Sequence, residues 1–428
     1  MRLARVICAA DQQDPALDAL VAAADLDVLQ LDYRRQAANP GFRSRFAAGF
    51  LQQLRSLHKI LFLDSRLHLV TNAGGGAVTE CVESLSQFLC EHHSADLVVA
   101  VLRGENLSPR LEELSAAGIE LVDEQSQTSL LEIQQPLLSA QVELGAGPLA
   151  AALAEDARIV VAGCYDAVAP LLAATTQAFD WSWDYWDRLA NVVVAAHLAS
   201  AAMTANATTA KPNVLPSSPP WIEVTQEGAA SIQTLRNNVI DAEELQRIFL
   251  PQTGGPALLR QADVVADISR LELQADPFGA WQVAGAQGQP ATGDWVLRAT
   301  FADGFCSSAL FELTGNQAAA RAEQIRASLE ALLTPSESGQ RSTTIESLHP
   351  VADSFPIFVR ADCRSSQCEL CEQFIRDVSN FAVRNTTSDC RLVDVPLSVR
   401  PTIRNYHVPI SRDAIDVSVD TRVAKEWT

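Results

Sequence analysis

The sequence predicts an α/β protein: an N-terminal parallel sheet flanked by helices, followed by an α+β C-terminal region. Three observations carry this reading. Residues 1–205 alternate short Val/Ile/Leu runs with amphipathic stretches, a Pro/Ser/Thr-rich segment interrupts the chain at 206–220, and the strand signals beyond it lack regular intervening helices. Strands buried on both faces read as near-continuous apolar runs, and helices between them make the crossovers that parallel pairing requires. A chain of 428 residues has room for two or three domains.

The expected strands of the first part are Ala4–Ala10, Asp27–Tyr33, Leu67–Asn72, Leu97–Leu102, Ile119–Val122 and Arg158–Gly163. Amphipathic patterns predict helices at 14–24, 43–57, 77–93, 108–117 and 147–156, and a longer one from Trp183 to Met203 with Ser182 or Asp180 as its N-cap. The segment 206–220 (NATTAKPNVLPSSPP) reads as a linker or long loop. It divides a domain at 1–205 from an α+β domain at 221–428, which holds a candidate split βαβ subdomain from about 295. There the expected strands are 221–225, 231–235, 263–273, 281–285, 295–302, 306–313, 343–348, 356–361 and 391–399, with helices at 316–333 and 366–381.

Charge narrows the partners. Lys and Arg total 32 against 52 Asp and Glu, a formal charge of −20, and the only lysines are Lys59, Lys211 and Lys425. An acidic surface repels phosphate backbones and offers no polybasic patch, so neither nucleic acid nor an anionic membrane is the expected partner. The longest nearly uncharged apolar stretch, Leu189–Met203, is shorter than the roughly 18 residues of a spanning helix. Nine scattered cysteines do not form a disulfide framework, and Asp11 cuts short the apolar run at the N-terminus. The expected compartment is the cytoplasm.

In open α/β sheets, ligands bind beyond the carboxyl ends of the strands. The clearest such end is Leu69-Val70-Thr71-Asn72-Ala73-Gly74-Gly75-Gly76. Three glycines let the backbone approach an anion, and the following helix N-terminus supplies free N–H groups. The run is neither a Walker loop nor GxGxxG, and a tight strand-to-helix turn is its plain alternative. Gly145-Ala146-Gly147-Pro148 is read first as a helix start and second as an anion cradle. Asp166, after Gly163-Cys164-Tyr165, is either an acid/base group or a helix cap. Asp32 ends a strand where dinucleotide folds place a ribose-binding carboxylate, but the first turn, Ala9-Ala10-Asp11, lacks their glycines. Asp263 and Asp267 flank Val264-Val265-Ala266, so a strand there would direct both carboxylates to one face. His197 falls on an apolar helix face, the common place of a core histidine. Cys363-x4-Cys368-x2-Cys371, with Cys390, copies three ligands of an iron–sulfur loop, but Cys368 begins an amphipathic pattern; core cysteines fit better, and no metal site is assigned.

Several of these segments together resemble the acyclic terpene utilisation (AtuA-like) family. They are Leu29-Gln30-Leu31-Asp32-Tyr33, Leu69 to Gly75, Leu144-Gly145-Ala146 through Ala162-Gly163, Asp184-Tyr185-Trp186-Asp187-Arg188-Leu189-Ala190, His197, Asp263 to Asp267, Val283 to Gly288, and Ala302-Asp303-Gly304-Phe305. The resemblance covers most of residues 1–410 in order. It implies acyl-CoA-linked catabolism of acyclic terpenoids and branched acids, and it places Asp32, Asn72, Gly74, Gly75, Asp187, His197, Asp263 and Asp267 on family-like positions.

The departures are equally specific. Gly163-Cys164 stands where the family has Gly-Arg, and Ala199-Ser200-Ala201 where it has Glu-Cys-Gly. Gln226-Glu227-Gly228-Ala229-Ala230 replaces a Thr-Gly-Gly. These changes remove anion-binding and acid/base capacity together. The expectation is therefore a divergent member that binds an anionic small molecule, with a CoA ester as candidate substrate and no certain cofactor. Its ligand would be held by Asp32, Asn72, Gly74, Gly75, Gly76, Asp187 and Asp267, in a cleft between the two parts of the chain. His197, Asp166 and Asp263 would move the proton in hydratase- or lyase-like chemistry. A non-catalytic scaffold or partner subunit is the alternative, and a homo-oligomer is left open.

Overall fold

The computed structural model describes residues 1–8, 15–33, 46–63, 66–209, 219–234, 257–276, 280–333, 341–348, 356–393 and 395–427. In chain order its elements begin β1 (Arg2–Ile7), α1 (Pro15–Ala24), β2 (Val28–Asp32), α2 (Ala48–Leu63), β3 (His68–Thr71), α3 (Val78–Glu91) and β4 (Val98–Arg103). They continue α4 (Leu111–Ala116), β5 (Leu137–Glu143), α5 (Ala146–Ala154), β6 (Ile159–Val161), α6 (Ala169–Phe179) and α7 (Trp186–Thr209). Then come β7 (Trp221–Val224), β8 (Ala230–Gln233), β9 (Leu258–Arg260), β10 (Val264–Asp267), β11 (Glu272–Ala275), β12 (Trp281–Ala284) and β13 (Gln287–Pro290). The chain ends β14 (Asp294–Leu313), α8 (Ala318–Leu332), β15 (Arg341–Leu348), β16 (Ile357–Ser365), α9 (Cys368–Asn385), β17 (Cys390–Val393), β18 (Arg400–Ser411) and β19 (Ser418–Val423).

Strands β1, β2, β3, β6 and β4 lie side by side in that order, all parallel. The fold is α/β. One face of this sheet packs Leu29, Leu31, Leu69, Val99, Val101, Ile159 and Val161 against Leu17 and Leu20 of α1, Phe50, Leu54 and Leu57 of α2, and Cys81 and Leu85 of α3. Fully burying each such aliphatic side chain contributes about 1.5–3 kcal/mol. Alternate residues point to the other face, where Gln30 Nε2 donates to the Ala167 carbonyl at 3.1 Å just before α6.

Antiparallel strands complete the sheet. β7, β8, β12 and β11 extend it from β1, and β19 from β4, giving ten strands. An unpaired edge offers a row of free N–H and C=O groups, and the β7–β8 hairpin takes up the edge of β1. Contacts divide the chain into two compact units, Met1–Gln134 with Leu138–Ala299 and Tyr406–Thr428, and Gln135–Leu137 with Thr300–Asn405. The division falls inside β14, not at 206–220. In the second unit the strand order is β15-β16-β14-β17 with every neighbour antiparallel, a βαββαβ arrangement. Phe311, Val359, Cys363, Phe374 and Val378 form its core with Ala322 and Leu329 of α8.

Several boundaries differ from the sequence expectations. Only Val122 of 119–122 pairs, as a bridge to Ser129, because β6 occupies the place between β3 and β4. Helix α7 runs on through 206–209, since the first proline beyond it is Pro212. Asp180 ends α6 in a left-handed conformation (φ 51°) and does not cap α7. The strands expected at 295–302 and 306–313 are one, because Gly304 (φ +86°) carries the chain close past the Ser365 carbonyl without turning it. Ala9-Ala10-Asp11 (beyond Cys8) and most of the expected linker, positions 210–218, lie outside the described residues.

Close approach between β13 and the start of α7 makes one prediction. A Cβ on Gly288 would stand 1.9 Å from the Trp186 carbonyl oxygen, and the Gly288 N–H already donates to Asp187 Oδ1 at 2.8 Å. Gly288→Ala should therefore cost about 1–3 kcal/mol of stability, read as a lower denaturant midpoint. An unchanged midpoint would mean that this strand does not lie against the helix.

Candidate functional site

The carboxyl ends of the parallel strands bring together residues distant in sequence. Asp32, at the end of β2, is fully buried; its Oδ2 accepts from Arg5 Nε (2.9 Å) and Nη2 (2.6 Å), and its Oδ1 from Asn72 Nδ2 (3.0 Å). Asn72 Oδ1 in turn accepts the Tyr33 N–H at 2.8 Å. Arg5 Nη1 donates to the Ser200 hydroxyl on α7 at 3.1 Å. The carboxylate thus neutralises an interior guanidinium and ties β1, β2 and the β3 end into one network.

The glycine turn after β3 packs against the end of β6. Gly74 N–H donates to the Ala162 carbonyl and Gly75 N–H to the Asn72 carbonyl, each at 3.2 Å. Gln141 Nε2 donates to the Gly75 carbonyl at 2.8 Å. Gly74 and Gly75 are buried and Gly76 is exposed at the mouth of α3, whose first turn carries the acidic Glu80. Two of the three glycines therefore serve a close backbone approach, and their N–H groups are spent inside the protein.

Glu105 completes this corner. It follows β4 through Gly104, is 3% exposed, and accepts the Gly163 N–H on Oε1 at 3.1 Å. A Cβ on Gly163 would fall 2.2 Å from that oxygen and 2.5 Å from the Gly75 carbonyl, so residue 163 has no room for a side chain. Burial pushes the Glu105 carboxyl up to about 7.

A second carboxylate cluster stands at the N-terminus of α5. Asp263 Oδ2 accepts the Ala146 N–H at 2.7 Å, and its Oδ1 faces Arg412 Nη1 at 3.6 Å. Asp166 Oδ2 accepts the N–H of neighbouring Ala262 at 3.2 Å, while its Oδ1 accepts from Val168 N–H at 2.9 Å. Arg412 also donates to the Ala262 carbonyl and lies over the Trp295 ring, 5.6 Å from its centroid. A Cβ on Gly145 would meet Asp263 Oδ1 at 2.5 Å and Trp295 Nε1 at 2.9 Å, so the glycine leaves space for both. Trp295 is 7% exposed, and its indole N–H finds no acceptor among the described residues. Desolvation raises Asp263 to about 6, with the Ala146 N–H and the Arg412 charge opposing and Asp166 reinforcing the rise. All of these residues belong to the first unit.

The other expected residues have separate surroundings. Asp187 holds the Gly288 N–H, and Asp267 Oδ1 accepts its own turn's Ser269 N–H at 2.9 Å, which keeps that carboxyl below its usual range. Asp263 and Asp267 therefore have different partners, one inside and one at the surface. His197 is half-buried on α7, one turn before Ser200. Cys363 and Cys371 touch through sulfur, and among the described residues no group of three or more His, Cys, Asp or Glu converges to hold a metal. No helix among the described residues is long and apolar enough to cross a membrane.

Sequence reasoning brought Asp166 and Asp263 forward but missed Glu105, Trp295 and Arg412. Glu105 had a signal: Gly104-Glu105 follows the apolar run of β4 at a carboxyl end. Arg412 had none, since it meets Asp263 across 149 positions of sequence only through β18 and the short turn after it (412 − 263). Compared with protein-family models, the chain matches the family described as acyclic terpene utilisation family protein AtuA over residues 8–421. Neither a curated protein nor a solved structure matches it.

Proposed function

Because the chain belongs to the acyclic terpene utilisation family, we propose that it binds an anionic small molecule, an acyl-CoA or a branched acid, and transfers a proton at Asp263. The observation that carries this reading is the Asp263 carboxyl itself. It is held at a helix N-terminus by the Ala146 N–H, beside Asp166 and Arg412, with its titration lifted to about 6. A carboxylate near that value exchanges protons close to neutral pH, which is what hydration or lyase chemistry beside a carbonyl requires. Arg412 supplies the cation for a substrate carboxylate or phosphate, in a protein with few lysines to do so. The partner is then a small molecule, met in the cytoplasm, and neither nucleic acid nor membrane.

If Asp263 is the base, its ionised form is the active one. The rate should rise about tenfold per pH unit below 6 and level off above it. Asp263→Asn should fold, keep ligand binding and lose on the order of 100-fold or more in turnover. The first test is a thermal-shift screen of the whole protein with CoA esters, branched acids and hydroxy acids. A ligand at about 100 times its Kd should add about 2.7 kcal/mol of stability. No stabilisation by any of them at millimolar concentration would defeat the proposal. It would favour the second reading, a scaffold or partner subunit, which the internal use of the Gly74, Gly75 and Gly163 N–H groups supports.

A further inference from the structure

The cysteine pattern singled out in the sequence gathers differently in the second unit. Cys363 on β16 and Cys371 in the first turn of α9 are both buried, with their sulfurs 3.9 Å apart. Cys306 lies one residue from the register partner of Cys363, since Ser307 pairs with Cys363 on the neighbouring strand. Cys390 is buried in the same core. Cys368 is turned elsewhere: it is partly exposed and its sulfur lies 3.9 Å from Glu372 Oε1. The Cys-x-x-Cys spacing within the helix is therefore not the contact the fold makes.

We propose that Cys363 and Cys371 are an oxidative modification site, a dithiol that hydrogen peroxide closes into a disulfide tying α9 to β16. The sulfurs already touch at 3.9 Å, so a bond of about 2.05 Å has a gap of roughly 2 Å to close. In the first step one thiolate attacks a peroxide oxygen. An S–O bond forms, the O–O bond breaks, and the departing hydroxide takes a proton to become water. In the second, the other thiolate attacks the sulfenic sulfur; the S–S bond forms, the S–O bond breaks, and a second water leaves. Two electrons pass from the two sulfurs to the peroxide, and the two thiol protons end in the waters.

Only a thiolate attacks, and burial pushes Cys363 up to about 12 and Cys371 above its usual range. The pair should be slow at neutral pH and quicken about tenfold per pH unit towards pH 9.

Arg364 and Arg376 make the test direct, because trypsin cuts between the partners into Ala361–Arg364 and Ser365–Arg376. The full-length protein is treated with hydrogen peroxide, the remaining thiols are alkylated, and the digest is read by mass spectrometry. The expected result is a cross-link between those two peptides, about 2 Da below their summed mass counted with one alkyl group on Cys368. It should persist in Cys368→Ser and vanish in Cys371→Ser. A bond confined to Ser365–Arg376, which would join Cys368 to Cys371, overturns the proposal. So does recovery of Cys363 and Cys371 as alkylated thiols or as sulfinic or sulfonic acids. In the parent, fragment ions that place the alkyl group on Cys368 assign the bond to Cys371, and an alkyl group on Cys371 overturns the proposal, so a variant that fails to fold does not obscure the test.

Discussion

Replacing Glu105 by glutamine should make the protein more stable at pH 8, by on the order of 2 kcal/mol, and leave it nearly unchanged at pH 4. The carboxyl titrates near 4.5 in an unfolded chain and at about 7 in the folded protein, because its site between Gly163 and the Gly75 turn desolvates the charged form. Between those two values the native state holds a proton that the unfolded state has released. Stability therefore falls as pH rises from roughly 4.5 to 7 and stays low above that. Glutamine has no proton to lose, and its carbonyl oxygen can still accept the Gly163 N–H. Asp263, at about 6 against 3.8, carries the same sign over a lower window, so Asp263→Asn should stabilise in the same direction. Urea unfolding of parent and Glu105→Gln at pH 4 and pH 8 measures the difference. A variant less stable than the parent at pH 8 would mean that Glu105 is held ionised by partners, and the burial argument would fall.

Asp32→Ala is expected to cost about 3–5 kcal/mol, enough to unfold a protein of ordinary stability. The side chain is fully buried and answers Arg5, itself only 13% exposed, so truncation leaves a guanidinium without its counter-charge. Asn72 loses its acceptor in the same step, loosening the turn that seats Gly74 and Gly75. A buried ion pair need not stabilise relative to an apolar one; breaking it from one side is what costs. The double variant Arg5→Met, Asp32→Leu should therefore recover most of the loss, and denaturant midpoints of the three proteins form the comparison. An Asp32→Ala midpoint within about 1 kcal/mol of the parent would show that Arg5 reaches solvent there.

This second prediction bears on what the sequence can say about Asp32. Its place at the end of Val28-Leu29-Gln30-Leu31 was legible, because a strand buried on both faces leaves an apolar run and its polar end stands out. Its role was not, since Arg5 and Asn72 reach it through neighbouring strands. The same limit explains the missed elements. Helix α6 is buried continuously from Ala169 to Thr176, so it has no polar face and shows no helical period. β5, β18 and β19 are mostly partly exposed or exposed and carry no continuous apolar run, and their pairing with β14 and β4 is a tertiary choice.

Taken alone, the sequence determined the α/β class, most of the parallel strands, the glycine run at 74–76 and the acidic, lysine-poor composition. These are local patterns and sums, and they survive without knowing who packs against whom. The tertiary structure decided which carboxylates are buried and what they touch. It took the N–H groups of Gly74 and Gly75 for internal contacts, buried Glu105 against Gly163, and set Asp263 on the Ala146 N–H beside Arg412. A carboxyl group's affinity for its proton depends on the solvent it has lost and the charges it has gained, and both come from residues remote in the chain.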